Sequence, residues 1–213
     1  MEGPSAMMRG SLGSYKHIRG SHKLRYTIYR QNTITACDMR TMAQHYDPMV
    51  RKRVGSNPAS PPDILLALSR DENEDVRLAV ACNPSVPDYV LSAMVDDVDS
   101  MVLMAAAANP NVSAEALEAL ASKDDRSLQA MVASSTKTLS DTLERLGGHP
   151  DWLVRAQVAQ NPNTPIRTVE LLALDERNEV MAAAALNPNL PNHILAMLLL
   201  GRTIDPPYKY RYG

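Results

Sequence analysis

Residues 76–94 read Val-Arg-Leu-Ala-Val-Ala-Cys-Asn-Pro-Ser-Val-Pro-Asp-Tyr-Val-Leu-Ser-Ala-Met, and the Asn-Pro pair inside them returns along the chain. It stands at 57–58, 83–84, 109–110, 161–162 and 187–188, spacings of 26, 26, 52 and 26 residues. The double gap falls on Ser135-Thr136, where a degenerate repeat keeps the register without the dipeptide. Apolar positions obey the same period: Val50, Val76, Val102, Leu128, Val154 and Val180 form one column, and Leu65, Leu91, Leu117, Leu143, Val169 and Leu195 form another. A third runs Leu68, Met94, Leu120, Leu146, Leu172, Leu198. A fixed period of this length marks a stacked-repeat architecture, in which each unit buries its apolar face only against its neighbours.

The chemistry of one repeat predicts two helical pieces. Asp47, Asn73, Asp99, Asp125 and Asp151 each precede a short apolar stretch and can accept the orphan N–H groups of a helix start, with Pro48 at the first helical position. That helix ends at Asn-Pro, because the residue before proline is pushed out of the α region and proline donates no helical bond. The second piece opens at Ser60-Pro61, Val86-Pro87, Thr164-Pro165 and Leu190-Pro191, with proline expected at its first position, and continues with apolar residues at i, i+1, i+4. No segment shows the alternation of a strand. The expectation is an all-α, right-handed α-solenoid of about seven 26-residue helix/short-helix repeats with no sheet. At about 8–10 Å per layer it forms a curved rod on the order of 60 Å long.

The domain reading follows. Residues 24–49 are the N-terminal capping repeat, on the strength of Leu24, Ile28, Asn32, Met39, Met42 and Asp47 near the repeat columns, and residues 50–200 are six tandem repeats with the fourth degenerate. Residues 1–23 and 201–213 are arms. Residues 1–31 hold six Lys/Arg against one acid and residues 201–213 three against one, which leaves the body 13 basic and 22 acidic residues, a net charge of −9. The arms interleave cations with tyrosines: Lys16, Arg19, Lys23 and Arg25 at one end, Tyr208, Lys209, Tyr210, Arg211 and Tyr212 at the other. Such segments suit a protein partner or a neighbouring subunit in an assembly, or, as the alternative, a nucleic acid. The acidic body argues against the second.

The pattern V-R-x-x-V-A-x-N-P-x-x-P, carried by Val76 to Pro87 and Val154 to Pro165, resembles the leucine-rich repeat variant family. The resemblance covers roughly residues 24–200. It implies an armadillo- or HEAT-like solenoid in which an α-helix alternates with a short 3₁₀ helix, and it says little about activity. The family's founding member carries an iron–sulfur cluster on a cysteine-rich extension that nothing in this sequence matches, so no cofactor and no metal are expected.

Candidate chemistry is thin. The five histidines never form an i, i+4 pair or flank a nucleophile, no phosphate loop is present, and no catalytic residue is assigned. DNA glycosylases built on HEAT-type helices pair an acid with an aromatic in a basic groove; Asp151-Trp152 is the nearest counterpart, and Trp152 is expected in the core instead. Asn57, Asn83, Asn109, Asn161 and Asn187 are each expected to close their own turn. The recurring acids Asp71, Glu72, Asp96, Asp97, Asp124, Asp125, Asp175 and Glu176 read as a solvated ridge, with a docking stripe for basic segments as the alternative. Cys37 and Cys82, far apart and without a C-x-x-C, read as buried free thiols. No apolar run is long enough for a bilayer, and a cytoplasmic protein, or part of an intracellularly assembled particle, is expected. Ser135 and Thr136, with Gly147 and Gly148 ending the second helix of the fourth repeat early, mark a possible joint. The expected function is a non-enzymatic scaffold.

Overall fold

The computed structural model describes residues 35–200. Among them are thirteen helices and no strand. In chain order they are α1 (Ala36–Ala43), α2 (Pro48–Gly55), α3 (Pro62–Leu68), α4 (Glu74–Ala81), α5 (Asp88–Ser92), α6 (Ser100–Ala108), α7 (Ala114–Ala121), α8 (Arg126–Ser134), α9 (Ser140–Gly147), α10 (Trp152–Gln160), α11 (Ile166–Leu172), α12 (Asn178–Ala185) and α13 (Asn192–Leu199). The even-numbered helices are the first members of six repeats and stack side by side along the rod; the odd-numbered ones are the second members. Helix α1 falls in the second half of the expected capping repeat, residues 24–49, of which residues 24–34 lie outside the described part.

The first helices start where the sequence places them. The carboxylates of Asp47, Asp99, Asp125 and Asp151 and the amide of Asn73 accept backbone N–H groups two or three residues on, at 2.8–3.3 Å. Each such cap stabilises its helix by about 1 kcal/mol. Helix α12 departs from the rule, since Arg177 stands at its cap and accepts nothing. The second helices begin one residue later than expected: Pro61, Pro87, Pro165 and Pro191 are the capping residues and not the first helical ones. Their backbones are extended, and the missing proline N–H costs nothing in a position that makes no intrahelical bond. In the same column Ser113 caps with its hydroxyl, and Thr35 and Asp38 form a capping box. Both members of each repeat are α-helices among the described residues, so the 3₁₀ second helix implied by the resemblance is not present there.

One apolar core runs through all layers. Val76, Val102, Val154, Val180, Leu91, Leu117 and Leu143 are fully buried. In the first and last described layers Val50, Leu195 and Leu198 are only half-buried.

Three expectations are corrected. The fourth repeat does not lose a helical turn: α9 runs through Gly147 and is as long as α7. The helix does end at Gly147, with Gly148 as its C-cap, but not early, and a Cβ on Gly147 would stand 2.7 Å from the Thr168 methyl of the next layer, so the glycine also permits close stacking. Both cysteines are exposed; Cys82 caps the C-terminus of α4 on an outward column. Trp152 is 38% exposed because it is the first residue of α10, whose column faces away from the stack, and the Arg177 guanidinium lies 5.3 Å from the centre of its rings.

Candidate functional site

Two ladders of side chains stitch the layers along the Asn-Pro edge. Asn83, Asn109, Asn161 and Asn187 do close their own turns, each Oδ1 accepting the N–H two residues on. Their Nδ2 groups do more. Asn109 donates to the carbonyls of Ala81 (2.7 Å) and Asn83 (3.0 Å) in the preceding layer, and the other three repeat this geometry. Two residues on, Asn111, Asn163 and Asn189 donate to the preceding layer's carbonyls in the same way. Ser135 keeps the backbone of the missing Asn, with φ −74° and ψ 130° against −68° and 133° at Asn109, but it has no Nδ2. In its repeat Lys137 takes over the second ladder, its ammonium reaching the carbonyls of Pro110 and Val112. That ammonium borders an open depression of about 480 Å³ lined also by Asp88 and Asn111, and is committed to backbone.

The opposite, inter-repeat edge is braced by ion pairs. Arg51 reaches Asp71, Arg77 reaches Asp97 and Arg155 reaches Asp175, each through two N–H···O bonds of 2.7–3.0 Å. The same guanidiniums donate to carbonyls of the loop before their own helix. A planar fork that bonds bidentately on one side and to carbonyls on the other locks consecutive loops together. Burial raises the pKa of Asp71, Asp97 and Asp175, but the guanidinium bond and the N–H two residues on outweigh it, and all three sit below the usual carboxylate range.

The acidic ridge is therefore two things. Asp71, Asp97 and Asp175 have side chains 5–9% exposed and are internal braces, while Glu72, Asp96 and Glu176 are 85–89% exposed and remain solvated. The brace is missing in the middle of the rod. Leu103 and Gln129 replace the arginine, and Lys123 and His149 replace the aspartate. Lys123 instead pairs with Asp96, and His149 Nδ1 accepts the N–H of Asp151, the bond that the carboxylate accepts in the braced layers. Glu118 compensates across α7 and α9 by binding Thr142 and Arg145.

The face of the first helices carries charge at Lys52, Asp75 and Glu179 towards its ends and loses it across the middle. The second helices carry Asp63, Asp88, Glu115, Asp141 and Glu144 outward. The outward positions of α6, α8 and α10 carry no charge: Met101, Met104 and Ala108, then Ser127 and Ser134, then Leu153 and Gln160. Arg126, at the start of α8, lies in the neighbouring column and is tied to Asp151. Met101 is 58% exposed, and α6 (SMVLMAAAA) is apolar on every side, a pattern that belongs to a helix covered all round. Among the described residues no group of His, Cys, Asp or Glu could hold a metal. No helix there is long and apolar enough to cross a membrane.

The arm residues Lys16, Arg19, Lys23, Arg25, Tyr208, Lys209, Tyr210, Arg211 and Tyr212 lie outside the described residues. Of the joint residues, Ser135 and Thr136 sit at the layer without its Asn rung, whereas Gly147 and Gly148 end an ordinary helix. The face of α6, α8 and α10 went unnoticed in the sequence. Its signal was the absence of charge in every third and fourth residue of those helices.

Residues 152–177, one full repeat, match the family model described as leucine rich repeat variant. Comparison with curated proteins found no match. Among solved structures, one described as a leucine-rich repeat variant with a novel repetitive protein structural motif is similar at 22% identity, with a TM-score of 0.61 over 82% of this chain and 67% of that one. At that identity the likeness is one of fold. A 26-residue period, a pair of helices per period stacked through one core, and one repeat that matches the family model make this chain similar in fold to the leucine-rich repeat variant proteins.

Proposed function

We propose that the chain is a non-catalytic scaffold that binds a protein partner on the uncharged face of α6, α8 and α10. The observation that carries this reading is α6, apolar on every side yet open to solvent at Met101 and Ala108 and only half-covered at Met104. Methionine adapts to irregular apolar surfaces, and an exposed apolar strip rimmed by polar residues is the usual form of a protein contact. The partner presents an apolar, uncharged ridge. The basic arms, with Lys16, Arg19, Lys23, Arg25, Lys209 and Arg211, add contacts to acidic surface on that partner or on a neighbouring subunit, in the cytoplasm or in a particle assembled inside the cell. The missing Asn rung and missing ion-pair braces around Ser135 support a joint there that adjusts the face to its ligand.

The test is capture from native lysate with nuclease treatment, using the wild type and Met101→Glu/Ala108→Glu as baits. A partner retained by the first, lost by the second at unchanged melting temperature, and insensitive to salt supports the reading. Binding that survives the double variant but falls steeply with log salt means that the arms hold a nucleic acid through phosphate contacts.

A further inference from the structure

The apolar character of the first-helix face extends from α2 to α12. Met49 is 60% exposed, Met101 58% and Leu186 82%, and Leu78 and Leu153 between them are half-buried. The charges of this face are few and sorted by sign. Lys52 and Arg53 stand on α2, and Asp75 on α4 is tied back to Lys52 at 3.0 Å. Glu179 stands on α12, where Arg177 reaches it from the loop edge and leaves its side chain 52% exposed.

Side-chain size is sorted along the face as well. One outward column reads Ser56, Cys82, Ala108, Ser134, Gln160, Leu186, all exposed, short in the first layers and long in the last two. In a neighbouring column Met101 on α6 is followed by Ser127 on α8. A gradient of this kind fits its own reverse. In a two-fold contact each patch meets its counterpart reciprocally, and an axis parallel to the helices, midway between α6 and α8, lays α2 on α12, α4 on α10 and α6 on α8. Lys52 and Arg53 then face Glu179, Ser56 faces Leu186, Cys82 faces Gln160, and Met101 faces Ser127. Opposite charges meet, and long side chains meet short ones. Asp75 falls on α10, whose outward positions Leu153 and Gln160 carry no charge. The parallel arrangement instead sets Lys52 on Lys52, Glu179 on Glu179 and Met101 on Met101.

The area agrees with a pair of this kind. The six first helices have 8 or 9 residues each, about 12–13 Å at 1.5 Å per residue, and at about 8–10 Å per layer they span about 50–60 Å. Two such faces bury about 1,200–1,500 Å² between them, within the range of a specific interface, whereas three helices alone would bury about half of that. We propose that the partner of this face is a second copy of the chain, docked face to face and antiparallel. The proposal rests on the reading of the face as a protein contact and supplies its occupant.

The test is sedimentation equilibrium of the full chain, alone and in mixtures. The wild type sediments as a dimer and Met101→Glu/Ala108→Glu as a monomer. Glu179→Lys and Lys52→Glu/Arg53→Glu each dimerise at least about tenfold more weakly at unchanged far-UV circular dichroism, because both ends of the pair then hold like charges. An equimolar mixture of these two variants dimerises as the wild type does, since every end contact is again between opposite charges. A monomeric wild type overturns the proposal, as does a dimer that Met101→Glu/Ala108→Glu leaves intact or a mixture no tighter than its components. A monomeric wild type that still captures a protein from lysate, and loses it in Met101→Glu/Ala108→Glu, refutes the second copy and keeps the face as a contact for another protein.

Discussion

Replacing Asn109 by serine isolates one rung of the interlayer ladder, and the molecule already contains the control. Asn109 is 5% exposed, donates through Nδ2 to the carbonyls of Ala81 and Asn83, and accepts the N–H of Asn111 at 2.9 Å. Serine preserves the acceptor, as Ser135 does for the N–H of Lys137, and removes both donations. Two neutral hydrogen bonds contribute about 1 kcal/mol each. The carbonyl of Asn83 keeps the N–H of Val86, whereas that of Ala81 loses a buried partner, at a further cost of about 1–2 kcal/mol. The expected loss for Asn109→Ser is about 3–4 kcal/mol by urea unfolding followed by far-UV circular dichroism. Ser135→Asn, which restores the rung in the layer that lacks it, is expected to add about 1–2 kcal/mol. Asn109→Asp sharpens the argument, because a carboxylate there faces two carbonyl oxygens and its pKa is raised by burial and repulsion. A raised folded-state pKa means stability present at low pH and lost as pH rises, so this variant is weaker at about pH 7 than at about pH 4. A loss below about 1 kcal/mol for the serine variant, or no pH dependence in the aspartate variant, would refute the rung.

Leu91→Ala empties a fully buried site and is expected to cost about 2–5 kcal/mol in the same assay; a loss under about 1 kcal/mol would contradict the packing. Asp71, Asp97 and Asp175 have lowered pKa values, so their stabilisation is present above the ordinary aspartate pKa of about 4 and lost as pH falls below it. Melting temperature followed from about pH 6 to about pH 2 should drop less steeply in Asp71→Asn/Asp97→Asn/Asp175→Asn than in the wild type. Gly147→Ala gains about 1 kcal/mol of helix propensity but drives a methyl into Thr168, a clash of about 1–3 kcal/mol. It should destabilise alone and stabilise in a Thr168→Ser background, as a double-mutant cycle will show. Fast amide exchange over residues 134–151 in the free protein, slowed by the partner, is expected of the joint, and protection equal to the flanking repeats would remove it.

The sequence by itself determined the period, the class of fold and most helix starts, because these rest on local chemistry. An Asp or Asn beside a short apolar run caps a helix wherever it occurs, an Asn-Pro pair ends one, and Val76, Leu91 and Met94 recur at intervals that only stacked layers can satisfy. The tertiary structure decided whatever depends on the neighbouring layer. Asn83 and Asn109 look alike whether their Nδ2 groups meet water or a carbonyl 26 residues back, and Asp71 and Glu72 are adjacent acids of which one is buried under Arg51 and the other is solvated. Gly147 reads as a stop in a single helix and as clearance once Thr168 lies against it. The uncharged face of α6, α8 and α10 exists only when three helices are laid side by side in register, since no one of them is long enough to display it.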